Sequence, residues 1–154
     1  MRILKLSLLG MLVAFLIIQF FKPAPNKANP PFPDDFTNVY EVPPKIHAIL
    51  QAACYDCHSN NTRYPWYARV QPVTWFLDHH VREGKEDLNF HAYGTYSAKR
   101  RRTKLKRIRE QLETGGMPLR SYTWMHDSAD LSPGDRQMMI RWLNEKIDSA
   151  NPRK

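Results

Sequence analysis

The sequence predicts an all-α fold: about four short helices with long loops, preceded by an N-terminal transmembrane or signal helix. Three observations carry that expectation. Residues that start and stop helices stand where they are needed, with Pro at first turns, Ser just ahead of them and a Gly pair behind one segment. Between these bounds apolar side chains recur every three or four residues. Strand signals are nearly absent.

The first element is the apolar run. Met1 to Phe21 opens with Arg2 and Lys5 and continues almost without polar residues from Leu6, the pattern of an export segment. Leu6 to Phe21 rises about 24 Å as a helix, and starting at Ile3 with Lys5 reaching back to the headgroups brings the span to about 28 Å. Length alone therefore admits a cleaved signal peptide or a membrane anchor. The run ends Gln19-Phe20-Phe21-Lys22, without the small residues that cleavage favours, and Ala24 sits between Pro23 and Pro25. Residues 1–21 thus read as an uncleaved signal anchor. Arg2, Lys5 and the amino terminus hold that end in the cytoplasm, against a weaker pull from Lys22 and Lys27. The expected location is the inner membrane, single-pass, with the domain facing the periplasm; cleavage would instead release it into the periplasm.

Residues 22–41 form the second region, a Pro-rich spacer expected to be extended and to hold a domain off the bilayer. Seven of the twelve prolines lie between Pro23 and Pro44. The folded domain is expected over 42–149, small enough to benefit from a cofactor. Within it, Pro44 opens a helix with Ile46, Ile49 and Leu50 on one face, ending at Cys54. Pro72 starts a second, through Val73, Phe76, Leu77 and His80, with Gly84 as its stop. A third runs from the N-cap Ser97 through Leu105, Ile108 and Leu112 to Gly115 and Gly116. A fourth starts at Ser132-Pro133, with Asp135 three residues on, and continues through Met139, Trp142, Leu143 and Ile147.

The chain has 154 residues, 42% hydrophobic and 12% aromatic, which excludes a disordered polypeptide and disfavours a large multi-domain enzyme. Its net charge of +8 suits an anionic partner or surface. Eight cations fall between Lys99 and Arg109, on the third predicted helix. Such a face is commonly just solvated; in an exported protein it can also meet lipid headgroups or steer an acidic redox partner. Nucleic acid fits the charge but not the compartment.

The only two cysteines lie in Cys54-Tyr55-Asp56-Cys57-His58, the attachment pattern of a c-type haem. Two thiols one helical turn apart reach two porphyrin vinyl groups, and the next imidazole can ligate the iron. Other readings of the pair are weaker. A disulfide would close a tiny loop for little entropic gain, a thioredoxin-like pair needs a βαβ setting, and zinc needs further ligands from scattered histidines.

Downstream of the motif come Ser59-Asn60-Asn61-Thr62-Arg63-Tyr64-Pro65-Trp66-Tyr67, Gln71-Pro72-Val73-Thr74-Trp75, Gly116-Met117-Pro118-Leu119 and Arg141-Trp142-Leu143. With these, about two thirds of the chain resembles the bacterial haem-binding domain family, a small cytochrome c-like group. The resemblance implies a single covalently held haem c, with its iron, in an exported domain; it implies no particular reaction.

Cys54, Cys57, His58 and Met117 are the candidate haem-binding residues, His58 and Met117 as axial ligands to iron. Met117 sits in a Gly-Gly-Met-Pro loop and would raise the potential relative to two histidines; as a bland alternative, it fills a gap in the core. His79, His80 and His126 are competing ligands. Tyr64, Trp66, Tyr67, Trp75 and Phe76 are candidate walls for the porphyrin, or ordinary core, and Arg63 is a candidate partner for a propionate. Trp142 and Leu143 should pack against the helix before Cys54. No catalytic residue is assigned. The expected function is single-electron transfer between redox partner proteins, including acidic ones, by a membrane-anchored monohaem cytochrome. A haem peroxidase-like enzyme with His126 as acid–base group, and a haem-based sensor or binding module, are the alternatives.

Overall fold

A computed structural model describes residues 1–149; their regular structure is all helical, joined by long irregular stretches, with a single isolated bridge between Lys27 and Asn61 in place of any strand. In chain order the helices are α1 (Arg2–Ile18), α2 (Phe36–Val39), α3 (Pro44–Ala53), α4 (Tyr55–His58), α5 (Val73–Asp87), α6 (Ala98–Thr114), α7 (Arg120–Thr123) and α8 (Pro133–Ser149). Short 3-10 turns occupy Trp66–Arg69, Phe90–Thr95 and Asp127–Ala129.

The expected caps form. Ser97 accepts a hydrogen bond from the Arg100 amide at the start of α6, and Gly115 closes its end in the left-handed conformation at φ 71°. At the start of α8, Ser132 donates to the Asp135 carboxylate and accepts from the Asp135 amide. One expected boundary is wrong: Gly84 does not stop α5, which continues to Asp87. The glycine is there for space. A Cβ on Gly84 would stand 2.8 Å from the Cys57 carbonyl oxygen, so its absence lets α5 cross the backbone of α4 closely.

The core joins α3, α6 and α8 through Ile46, Leu50, Leu105, Met139, Leu143 and Ile147. Helix α8 lies mainly along α6 and also touches α3. Trp142 meets Phe36 at 5.9 Å between ring centroids and Tyr40 at 6.5 Å, and belongs with Leu143 to the same buried cluster as Ile46 and Leu50. Phe36 is fully buried between Phe90, Tyr93 and Trp142. The packed unit therefore begins upstream of Val42, and the stretch expected to be a spacer folds back on the domain. Its apolar residues, Phe32, Phe36 and Tyr40, are the reason: an extended strap of prolines needs no aromatic rings, whereas these bury theirs.

One ring in this region makes stability pH-dependent. His91 stacks on Phe32 at 3.6 Å, and its Nδ1 accepts a hydrogen bond from the Asn60 amide. Burial holds its pKa below the ordinary value, with Asp35 opposing and Lys85 assisting. The unfolded chain thus binds a proton that the folded one refuses, so stability is full above pH about 6.5 and falls as the pH drops below it. Urea midpoints measured between pH 8 and pH 5 should decline over that lower range, and His91→Gln should flatten the decline.

Helix α1 has 17 residues, none of them buried. No helix among the described residues is long and apolar enough to cross a membrane. Gln19, the C-cap residue of α1, keeps the right-handed conformation and bonds Gln71 through its side chain, donating to its carbonyl at 3.3 Å and accepting from its amide at 2.9 Å.

Candidate haem site

The attachment motif is built as a break between two helices. Cys54 caps the end of α3, and α4 is a single turn carrying Asp56, Cys57 and His58. Burial pushes the Cys54 thiol up to about 12 and Cys57 up to about 11, with the neighbouring Cys57 and Asp56 charges respectively adding to each. Both are unpaired thiols, not thiolates, at neutral pH.

His58 is aimed by backbone. Its Nδ1 donates to the carbonyls of Gly84 at 2.8 Å and Leu88 at 3.1 Å, at the end of α5. That fixes the tautomer and leaves the Nε2 lone pair free, the arrangement that backbone carbonyls give to metal-binding imidazoles.

The loop after the motif is locked by hydrogen bonds. Asp56, nearly buried, accepts from the Arg63 amide at 3.0 Å, from Arg63 Nε at 3.1 Å and from the Tyr122 hydroxyl at 2.7 Å. Thr62 donates to the Asp56 carbonyl at 2.6 Å, and Asn26 ties Ser59 to Thr62 from outside. Burial and the Asp56 bond push the Tyr122 hydroxyl far above its ordinary pKa, so it remains a donor. Replacing Asp56 with Ala strands the buried end of that bond; the expected cost is about 1–3 kcal/mol, read from urea unfolding, with Tyr122→Phe costing about 1 kcal/mol.

Cys54, Cys57, His58 and Met117 all line one cavity of about 570 Å³, well inside the range of cofactor and ligand pockets. Its walls are mostly apolar: Leu88, Phe90, Ile108, Leu112, Leu119 and the side of Met139. Met117 arrives on the loop after α6, its amide donating to the Gln111 carbonyl at 3.3 Å. A Cβ on Gly116 would have to displace only the flexible end of the Gln111 side chain. At the rim, Asp87 accepts from Lys104 at 2.9 Å and Arg107 at 2.8 Å. Burial works against its charge, but those two bonds prevail and hold the Asp87 carboxyl below the ordinary carboxylate range.

A haem fits these residues. Two thiols and an imidazole line the cavity, its wall is mostly apolar, and Lys104 and Arg107 line it beside them. The haem-binding domain family matches residues 13–145. The chain belongs to that family. No curated protein and no solved structure matches it.

Several expected members of the haem-binding site lie elsewhere. None of Tyr64, Trp66, Tyr67, Trp75 and Phe76 lines the cavity, whose aromatic walls are Phe90 and Tyr122. Arg63 is spent on Asp56 and on the Gln51 carbonyl, and borders a separate small pocket. His79 pairs with Glu83, while His126 bonds Tyr67 and the Tyr122 carbonyl away from the cavity. His80 does line it, with its Nδ1 on the Phe76 carbonyl at 2.8 Å. Phe90, Lys104, Tyr122 and Met139 have no place in the site that the sequence predicts, yet all four line the cavity. Only Asp56, an acid enclosed by two cysteines, carried a signal that could have been followed to Tyr122.

Proposed function

We propose that this haem-binding domain is an exported monohaem c-type cytochrome, held by α1 at the inner membrane and passing single electrons between redox proteins. The observation that carries the reading is the convergence of both motif thiols, the His58 imidazole and the Met117 thioether on one apolar cavity.

Cys54 and Cys57 would each add sulfur and hydrogen across a vinyl group, leaving two thioethers. His58 Nε2 would ligate iron, its ring held by Gly84 and Leu88. Met117 would supply the second axial donor; Met139, also on the cavity, belongs to the buried core and serves as wall. Lys104 and Arg107 each spend one hydrogen bond on Asp87 and keep donors free for a propionate. The bound group supplies a one-electron iron couple; the protein tunes it through axial ligation, apolar walls and nearby cations.

The peroxidase-like alternative asks for an acid–base side chain at the cavity, and the group first considered, His126, is engaged behind Tyr122. His80 is the one histidine besides His58 on the cavity lining, and it favours a second reading in which two histidines hold the iron at lower potential.

The test is a pyridine haemochrome, with oxidised and reduced spectra and intact mass, on protein from a host competent in cytochrome maturation. A c-type haemochrome, one added haem in the mass and a low-spin oxidised spectrum are expected. A colourless chain of bare polypeptide mass refutes the proposal, and a high-spin spectrum with peroxide turnover moves it to the enzymatic class.

A further inference from the structure

The exit of α1 is bolted to the domain. Gln71, fully buried, donates from its side chain to the Phe21 carbonyl at 2.7 Å, and the Trp75 indole donates to the same carbonyl at 2.8 Å. Together with the two bonds between Gln19 and the Gln71 backbone, four hydrogen bonds span this joint. A buried glutamine bonded across the joint through both its backbone and its side chain fixes an angle between helix and domain, which a loose tether would not.

The two segments that meet at the joint carry a collar of exposed apolar side chains: Phe20, Phe21, Trp66, Val70, Trp75 and Phe76, with Trp66 79% and Phe76 53% exposed. Phe20 and Phe21 continue directly from α1, and the others lie on residues 66–76, the segment that receives its exit. Lys22 and Arg69 add exposed cations to it.

We infer that this collar is a membrane-docking face, seating the domain directly on the lipid headgroup layer instead of leaving it at the end of a tether; the inference rests on α1 being a membrane anchor. Three features select a bilayer as the occupant. The collar is continuous with the anchor. Indole rings beside Lys and Arg are the side chains that settle at a membrane interface, with rings toward the acyl chains and charge toward phosphate. And α1 is short: 17 residues rise about 26 Å against a hydrocarbon core of about 30 Å, a mismatch relieved by drawing the flanking rings into the interface. The fold-back of residues 26–41 onto the domain removes the slack that would hold the domain away.

The experiment uses the full haem-loaded chain in vesicles of phosphatidylcholine and phosphatidylglycerol, with p-benzoylphenylalanine replacing Trp66, Trp75 or, as an exposed control outside the collar, Glu145. All three substitutions fall at solvent-exposed side chains; the one at 75 gives up the indole bond to Phe21 and leaves the three bonds made by Gln19 and Gln71, and the Soret band reports that each variant is folded. Flotation after a carbonate wash reads the anchor, and irradiation followed by mass spectrometry reads the collar. Flotation with lipid adducts at 66 and 75 and none at 145 is the expected result. Flotation without lipid adducts at 66 and 75, or with adducts to a second protein chain in their place, overturns the docking face while leaving the anchor standing. Equal lipid labelling at all three positions overturns it too, as a freely tumbling domain. Failure to float overturns the anchor and the docking face together.

Discussion

Replacing Cys54 and Cys57 together with Ala is expected to yield a colourless protein with the mass of the bare chain. Both thiols reach the cavity from the one-turn α4 and its preceding cap, and the chain has no other cysteine to substitute for them. The variant should also melt lower. A ligand that binds only the folded state contributes about 2.7 kcal/mol at a hundred times its dissociation constant, and tethering raises its local concentration further. For a domain of this size that corresponds to a fall in Tm of at least roughly 10 °C, measured by far-ultraviolet circular dichroism. Removing Cys57 alone should leave one thioether, with haem still present in the intact mass. Haem of normal stoichiometry and acid–acetone resistance in the double variant would show that attachment does not run through sulfur.

The second large effect belongs to Met117→Ala. Haem should remain attached, because both cysteines and His58 are untouched, but the sulfur-to-iron charge-transfer band of the oxidised form should vanish. The potential should fall by roughly 100 mV, since axial ligands span about 0.8 V and a thioether favours ferrous iron. Met139→Leu is the control: the residue also lines the cavity, yet its side chain is only 1% exposed within the core cluster, so the band should persist. An unchanged band in Met117→Ala together with its loss in Met139→Leu would transfer the ligand to α8. A band absent from the unaltered protein, with a bis-histidine spectrum, would point to His80.

How far each feature could be read ahead depended on the distance over which its cause acts. Helix starts and stops at Ser97, Gly115, Ser132 and Pro133 were legible because a cap is a contact between near neighbours in sequence. The attachment motif was legible for the same reason: five consecutive residues carry all of its chemistry. Gly84 misled because its role is set by Cys57, twenty-seven positions away and visible only where α5 crosses α4. The aromatic block from Tyr64 to Phe76 misled because ring type says nothing of facing; packing turned those rings outward or onto other partners and gave the wall to Phe90 and Tyr122.

The sequence by itself determined the helical class, the boundaries of α3, α6 and α8 though not the short α2, α4 and α7, and the trio of sulfur, sulfur and imidazole, all consequences of local periodicity, capping and adjacency. The tertiary structure alone decided which side chains share a cavity with that trio, which carbonyls orient His58, that Asp56 locks the motif through Arg63 and Tyr122, and that Phe36 joins the core. Apart from Asp56 and Arg63, seven positions apart, those contacts link residues tens of positions apart. They depend on how helices cross and on which buried polar groups find partners, and a one-dimensional pattern carries neither.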